Sequence, residues 1–505
     1  MTDNLFSIIQ ERLLEEPSKP TIRLDDGTQI TAAELEEASQ VMGSVLQRFG
    51  VEPGDRISVQ VEKSWLNVVL YLATLRVGGV YLPLNSAYTD AEIEYFLSDA
   101  TPRVHVCSSV RLSKAQTIME ATVKTGSVLS LDINSGTLFD AFSEAQSKGE
   151  KFAGVVNRSG KDLASLLYTS GTTGRPKGAM ISHGNLIANA KMLAQAWAYT
   201  GDDVLLHSLP LFHIHGLFVA LNLALVTGGA IILLEKFDPK MVIKHLPEAT
   251  VMMGVPTYYT RLLADSNFTK ETAGHMRLFI SGSAPLLVET SNEFFDRTGK
   301  RILERYGMTE TGMTCSNPLN GERRAGSVGP ALPGVETRIV KEDGDLAQTG
   351  EIGILEVRGA NIFQGYWNLP EKTASEFKGD WFITGDMATK SEDGYIAIVG
   401  RGKDLIITGG LNVYPKEIED VLNLMDGVVE SAIVGVPHPD FGEGIVAVLV
   451  GTRSLDLDAL KAQCREQLAS FKVPKVWVQV DALPRNTMGK VQKNLLRDEH
   501  STAFS

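Results

Sequence analysis

Hydrophobic positions along the chain switch repeatedly between helical spacing and strand-like alternation. Thr31 and Glu34 form a capping-box pattern, after which Met42, Val45, Leu46 and Phe49 keep one helical face apolar up to Gly50. This predicts a helix that begins at Thr31 and is closed by a residue able to turn left-handed without steric penalty. Ile57, Val59 and Val61 alternate with polar neighbours, as in a strand with one covered face. A second apolar helix is predicted from Trp65 to the pair Gly78 and Gly79, and residues 80–85 read as the next buried strand. The same succession continues through the first 400 residues and predicts a layered α/β body whose helices cover its sheets. The most apolar stretch, residues 217–234, is interrupted by Asn222, Thr227, Gly228 and Gly229. It reads as a buried helix, a glycine turn and a buried strand, not as a membrane span.

The pattern changes after residue 320. Short alternating runs, GEIGILEVRG (350–359) and GYIAIVG (394–400), predict antiparallel strands forming a small β-barrel-like part. GRGKDLIITGG (400–410) reads as a junction. Beyond it a helix (415–424), two strands (428–437 and 444–451), a helix (455–471) and a last strand (476–480) are predicted. These make a compact α+β unit of ordinary domain size. The expected division is therefore a large N-terminal domain, 1–400, and a small C-terminal domain, 401–505.

Composition narrows the class. With 505 residues, 43% hydrophobic and 22% charged, the chain has the balance of a folded globular protein with room for more than one domain. A net charge of -13 gives no basis for a nucleic-acid partner or an anionic membrane. An anionic ligand would have to be met by cations gathered locally. The opening segment carries acids early and has no basic-then-apolar signal pattern. Cys107, Cys315 and Cys464 lack metal or CxxC spacing; they read as reduced thiols of a cytoplasmic protein and as small core residues.

The strongest chemical pattern is YTSGTTGRPKGAM, 168–180. The run Thr169, Ser170, Gly171, Thr172, Thr173 and Gly174 follows an apolar strand and is followed by Lys177. Glycines let backbone amides wrap an anion, and hydroxyls add donors. Lys177 is followed by Gly178 rather than Ser or Thr, so this is not a Walker A loop. The loop resembles the phosphate loop of the adenylate-forming superfamily, which includes acyl-CoA synthetases, luciferases and nonribosomal adenylation domains. PLFHIHG (210–216), YGMTET (306–311), TGD (384–386), GRGKDLI (400–406) and PRNTMGK (484–490) match its other motifs in order, so the resemblance spans nearly the whole chain.

That resemblance implies ATP, Mg2+ and coenzyme A as partners in two half-reactions: formation of an acyl-adenylate, then of a thioester. Residues Thr169 to Gly174 and Lys177 would grip the β- and γ-phosphates. Gly282, Ser283, Ala284, Glu304, Tyr306, Gly307 and Met308 would form the adenine site, with Tyr306 against the base. Thr309 would meet the α-phosphate. Glu310, with Thr172, would bind Mg2+. Asp386 and Arg401 would hold the ribose, and Lys490 would bridge carboxylate and α-phosphate. Lys403 is expected as the hinge of a mobile C-terminal domain, Gly409 and Gly410 as walls of the coenzyme A tunnel, and His213 as its gate. Lysines matching Lys490 in related synthetases are acetylated, which implies a possible acetyltransferase and deacetylase partner.

Two arginines bear on the acid. Arg261 lies in the segment expected to line the acyl pocket, and Arg305 directly precedes Tyr306. A buried guanidinium is costly unless an anion meets it, and it pairs a carboxylate through two parallel hydrogen bonds. Arg261, Ser283 and Arg305, with His215, are therefore candidates to hold the far carboxylate of a short dicarboxylic acid. The alternatives are an ion pair of Arg305 with Glu304 and a purely structural His215. GVPTYYTRLL, RLFISGSAPLL, ERYGMTET and LPRNTMGKVQK are similar to the malonyl-CoA synthetase family, which implies malonate, and methylmalonate as a second substrate. A ligase for another short or aryl acid, or a luciferase-like or carrier-loading enzyme, are the rival readings.

Overall fold

The structure is a computed structural model and describes residues 3–169, 176–408, 411–452, 454–486 and 489–504. Two mainly parallel sheets dominate the first part of the chain. The larger has eight strands, ordered Gly312–Ser316, Leu303–Met308, Leu278–Ser281, Val251–Gly254, Val204–His207, Ala230–Leu233, Pro20–Leu24, Gln29–Thr31. The other has six: Ser127–Ser130, Val104–Cys107, Arg56–Gln60, Val80–Pro83, Leu163–Thr169, Lys177–Ser182. Helices Leu5–Glu15, Ala32–Arg48, Trp65–Arg76 and His183–Ala196 contribute to one apolar core shared by both sheets. Leu66 to Arg76 are all buried, as expected of a helix with apolar residues on every face. The one charge inside, Arg76, pairs with Glu36 at 2.5 Å.

Local signals account for the boundaries. Thr31 and Glu34 close a reciprocal capping box on Ala32–Arg48, and Gly50 follows its end at φ 73°. The apolar stretch resolves into a π-turn His215–Leu221, a helix Asn222–Thr227, a left-handed Gly228 and the strand Ala230–Leu233. Among the described residues no helix is long and apolar enough to cross a membrane.

Strands Val335–Val340, Gly353–Gly359, Trp381–Lys390, Phe377–Lys378 and Ile396–Arg401 make an antiparallel sheet. Its pairing is an open path and does not close, so the barrel-like part expected from the sequence is a sheet. Trp381–Lys390 pairs with Gly353–Gly359 and with Ile396–Arg401, and its register shifts in both pairings. After the turn Gly402–Asp404 the chain enters a separate five-stranded sheet with its own core, built by Ile406–Thr408, Leu411–Val413, Val428–His438, Gly442–Gly451 and Val476–Gln479.

Candidate active site

The crevice lies where parallel strands end. In open α/β sheets ligands bind beyond the carboxyl ends of the strands. His207, Ser281 and Met308 are the last residues of three such strands, and the functional side chains follow from them.

Arg305 is 3% exposed and stands on Leu303–Met308. Alternation along the strand puts Glu304 on the opposite side, where its carboxylate meets the Leu286 amide at 3.4 Å. Arg305 therefore makes no ion pair with Glu304, and no acid among the described residues raises its pKa; burial pulls the guanidinium down to about 9, still protonated at neutral pH. Gly282 makes the room: a Cβ there would overlap the guanidinium. Ser283 is held left-handed at φ 70°, a strained setting for a residue with a Cβ. Its hydroxyl meets His215 Nδ1 at 3.1 Å. Arg305 Nε and Nη2, His215 Nε2 and Ser281 Oγ are buried with no hydrogen-bond partner. Such atoms are rare in folded proteins; those of Arg305 and His215, close enough for the arginine's charge to act on the histidine, fit an oxygen-rich anion, whereas Ser281, the register partner of Glu304, lies on the other face.

The histidines do not share a strand face. His215 opens the π-turn, and its amide donates to His213 Nδ1 at 3.1 Å. Burial, then the charges of Lys490 and Arg305, push His213 down to about 3, so it is neutral. Burial, then Arg305, also lowers His215. Arg261 departs from expectation. Helix Pro256–Leu263 buries Tyr259, Leu262 and Leu263, which leaves Arg261 exposed on the face of Thr257 and Tyr258. The Arg261 side chain is exposed, whereas that of Arg305 is buried.

A second group of the sequence-predicted residues is held by cross-links between elements. Asp386 and Arg401 are register partners on adjacent strands and pair at 2.8 Å. Tyr306, half-buried, donates its hydroxyl to the other Asp386 oxygen. Burial raises Asp386, while Arg401 and Tyr306 oppose the shift. Gly307 and Met308 complete the same strand, and Gly282, Ser283 and Ala284 follow Ser281 beside it. Thr309, half-buried in the next turn, lines a small cavity with Asn189 and Asn361. Thr169 and Lys177 face each other across the hairpin that leads into and out of the phosphate loop. Ser170, Gly171, Thr172, Thr173 and Gly174 lie outside the described residues, as do Gly409 and Gly410.

Glu310 is buried, and burial raises its carboxyl pKa. Tyr366, a residue that no sequence motif singled out, donates to Glu310 Oε1 at 3.0 Å. No group of three or more His, Cys, Asp or Glu able to hold a metal occurs among the described residues.

Lys490 comes from the second domain. Gly489, at φ 74°, rests against Thr257, and Lys490 is near enough to feel Arg401, Asp386, Glu310 and Arg305. Its ammonium is lowered by burial first and Arg401 next, with Asp386 and Glu310 opposing. Solvent still reaches the side chain across the crevice, which tempers the burial effect and leaves the neighbouring charges as the firmer influence. Lys403 is exposed in the turn Gly402–Asp404, between the last strand of the antiparallel sheet and the first of the C-terminal one.

A nucleotide crevice between a large and a small domain, with a lysine delivered across it by the small one, defines an adenylate-forming class of enzyme. The AMP-binding enzyme family matches residues 9–367, and the AMP-binding enzyme C-terminal domain matches 417–490. The chain belongs to the AMP-binding enzyme family. It is similar to the ATP-bound crystal structure of MatB from Rhodopseudomonas palustris, 50% identical, covering 100% of both chains, TM-score 0.96. A malonate–CoA ligase of Arabidopsis thaliana is 34% identical, covering 89% of this chain and 78% of its own. A long-chain-fatty-acid–CoA ligase of Bacillus subtilis (strain 168) is 32% identical, covering 98% and 94%.

Proposed function

We propose that the chain is an AMP-forming acid–thiol ligase that adenylates malonate and passes the malonyl group to coenzyme A. One malonate oxygen attacks the α-phosphorus of ATP and pyrophosphate leaves; the thiol sulfur then attacks the acyl carbon and AMP leaves. The observation that carries the acid is Arg305: a buried guanidinium that pairs with no carboxylate among the described residues, with His215 close enough to feel its charge and Ser283 bonded to that histidine. A fatty or aryl acid would leave that charge desolvated and unmatched. The similarity to the Arabidopsis malonate–CoA ligase supports the same acid.

In this reading residues 1–400 bind both substrates and 401–505 form the mobile domain. Lys490 meets the charge that builds between carboxylate and α-phosphate. Asp386 and Arg401 hold the ribose, and Tyr306 packs on adenine. Thr309 meets the α-phosphate, and Glu310 holds Mg2+, which neutralises the phosphates when bound. His213 gates the path to the thiol, Lys403 is the hinge, and Arg261 serves the rim. Acetylation of Lys490 would remove the charge that adenylation uses. The reduced-thiol reading of the buried cysteines supports a cytoplasmic setting.

The test is ATP-dependent thioester formation with malonate, methylmalonate, acetate and benzoate, each product weighed by mass spectrometry. Malonate should have the highest kcat/KM, and methylmalonate should follow within about 200-fold, the range one methyl group commands. Faster turnover of benzoate or acetate than of malonate would refute the dicarboxylate assignment.

A further inference from the structure

Tyr366 sits between the strand that begins at Lys177 and the buried Glu310. Residues 364–367 lie along the strand Lys177–Ser182: the Met180 amide donates to Gly365 O, the Gln364 amide to Met180 O, and the Trp367 amide to Gly178 O, all at 2.8–2.9 Å. Tyr366 is thereby bridged to Ala179, two residues beyond Lys177. Its ring lies under the Lys177 ammonium, 4.3 Å from the centroid, and its hydroxyl donates to Glu310 Oε1 at 3.0 Å. Lys177 also reaches Glu376 at 3.7 Å, but Glu376 is engaged more closely by Lys372, at 2.6 Å. The ring face attracts a cation and the hydroxyl fixes an anion, so one side chain grips both groups at different atoms.

We propose that Tyr366 is a spacer that keeps Lys177 and Glu310 from neutralising each other, so that the Lys177 ammonium stays available to the phosphates of the nucleotide. This makes Tyr366 a positioning residue. The inference rests on the reading that the crevice takes ATP, and is independent of which acid is used.

Metal-free titration of the full chain with ATP, followed by calorimetry in the presence of a chelator, tests it. Tyr366→Phe should weaken ATP about threefold, the scale of one hydrogen bond, because the released carboxylate competes for Lys177. In a Glu310→Gln background the same change should have no effect, since no carboxylate remains to compete. Tyr366→Met also removes the ring and should weaken ATP about tenfold, while KM for malonate moves less than twofold. Tyr366→Phe keeps the buried ring's packing, so the cycle stands even where Tyr366→Met does not fold. Equal effects of Tyr366→Phe in both backgrounds, or wild-type affinity in both, would overturn the proposal. Absence of ATP binding by the wild type would overturn the nucleotide reading and this inference with it.

Discussion

Arg305 illustrates how a single side chain can carry specificity. Its planar fork is buried, its Nε and Nη2 lack protein acceptors, and Gly282 exists beside it without a Cβ that would collide. Arg305→Leu should lower kcat/KM for malonate by about 100- to 1000-fold, the scale of stranding one partner of a buried charge pair. Calorimetric affinity for ATP should change less than twofold; equal losses for both substrates would mean a folding defect instead. Sequence reasoning found Arg305 because a costly residue precedes a recognisable tyrosine. It grouped Arg261 with Arg305, although the phase that leaves Arg261 exposed was readable: Pro256 starts the helix, and Tyr259, Leu262 and Leu263 define its apolar stripe. Arg261 falls off that stripe. Tyr366 was invisible for another reason, since its register against Ala179 joins residues 187 apart in sequence.

Elements show the same division between local and distant information. The capped helix Ala32–Arg48, the buried helix Trp65–Arg76 and the C-terminal helix Pro415–Asn423 are dictated by caps, glycines and apolar spacing. The strand Lys177–Ser182 was not read, because it is covered by Gln364 and Trp367 rather than patterned by alternation. Nor was the π-turn at His215, whose extra residue per turn has no sequence signature. The turn Gly402–Asp404 is the short link between two separately paired sheets. A prediction belongs here: Lys403→Pro should restrict the backbone that a domain rotation must twist. Pyrophosphate exchange with malonate and ATP should persist, while thioester release falls at least about tenfold. Parallel loss of both half-reactions would argue against a hinge.

At the scale of the whole molecule, the two domains share charges across the crevice. Glu304 is pushed up to about 7 by burial, opposed by the Leu286 amide and by Lys416 of the C-terminal helix. A carboxyl raised from its ordinary 4.5 favours the native state most below that pH, and the benefit disappears as pH climbs to about 7. Glu304→Gln, which cannot ionise, should match the wild type at pH 4 and be more stable at pH 8, by at most about 3 kcal/mol. Denaturation midpoints at both pH values decide it; an identical offset at each would contradict the assignment. The contact of Gly489 with Thr257 has a consequence for traffic. Thr257 and Arg261 lie one helical turn apart on the same face, so the segment that carries Lys490 seats on the N-terminal part of that face and leaves Arg261 exposed beyond it. That part of the helix is therefore covered for as long as Gly489 rests on it, and Lys490 cannot leave the crevice without uncovering Thr257.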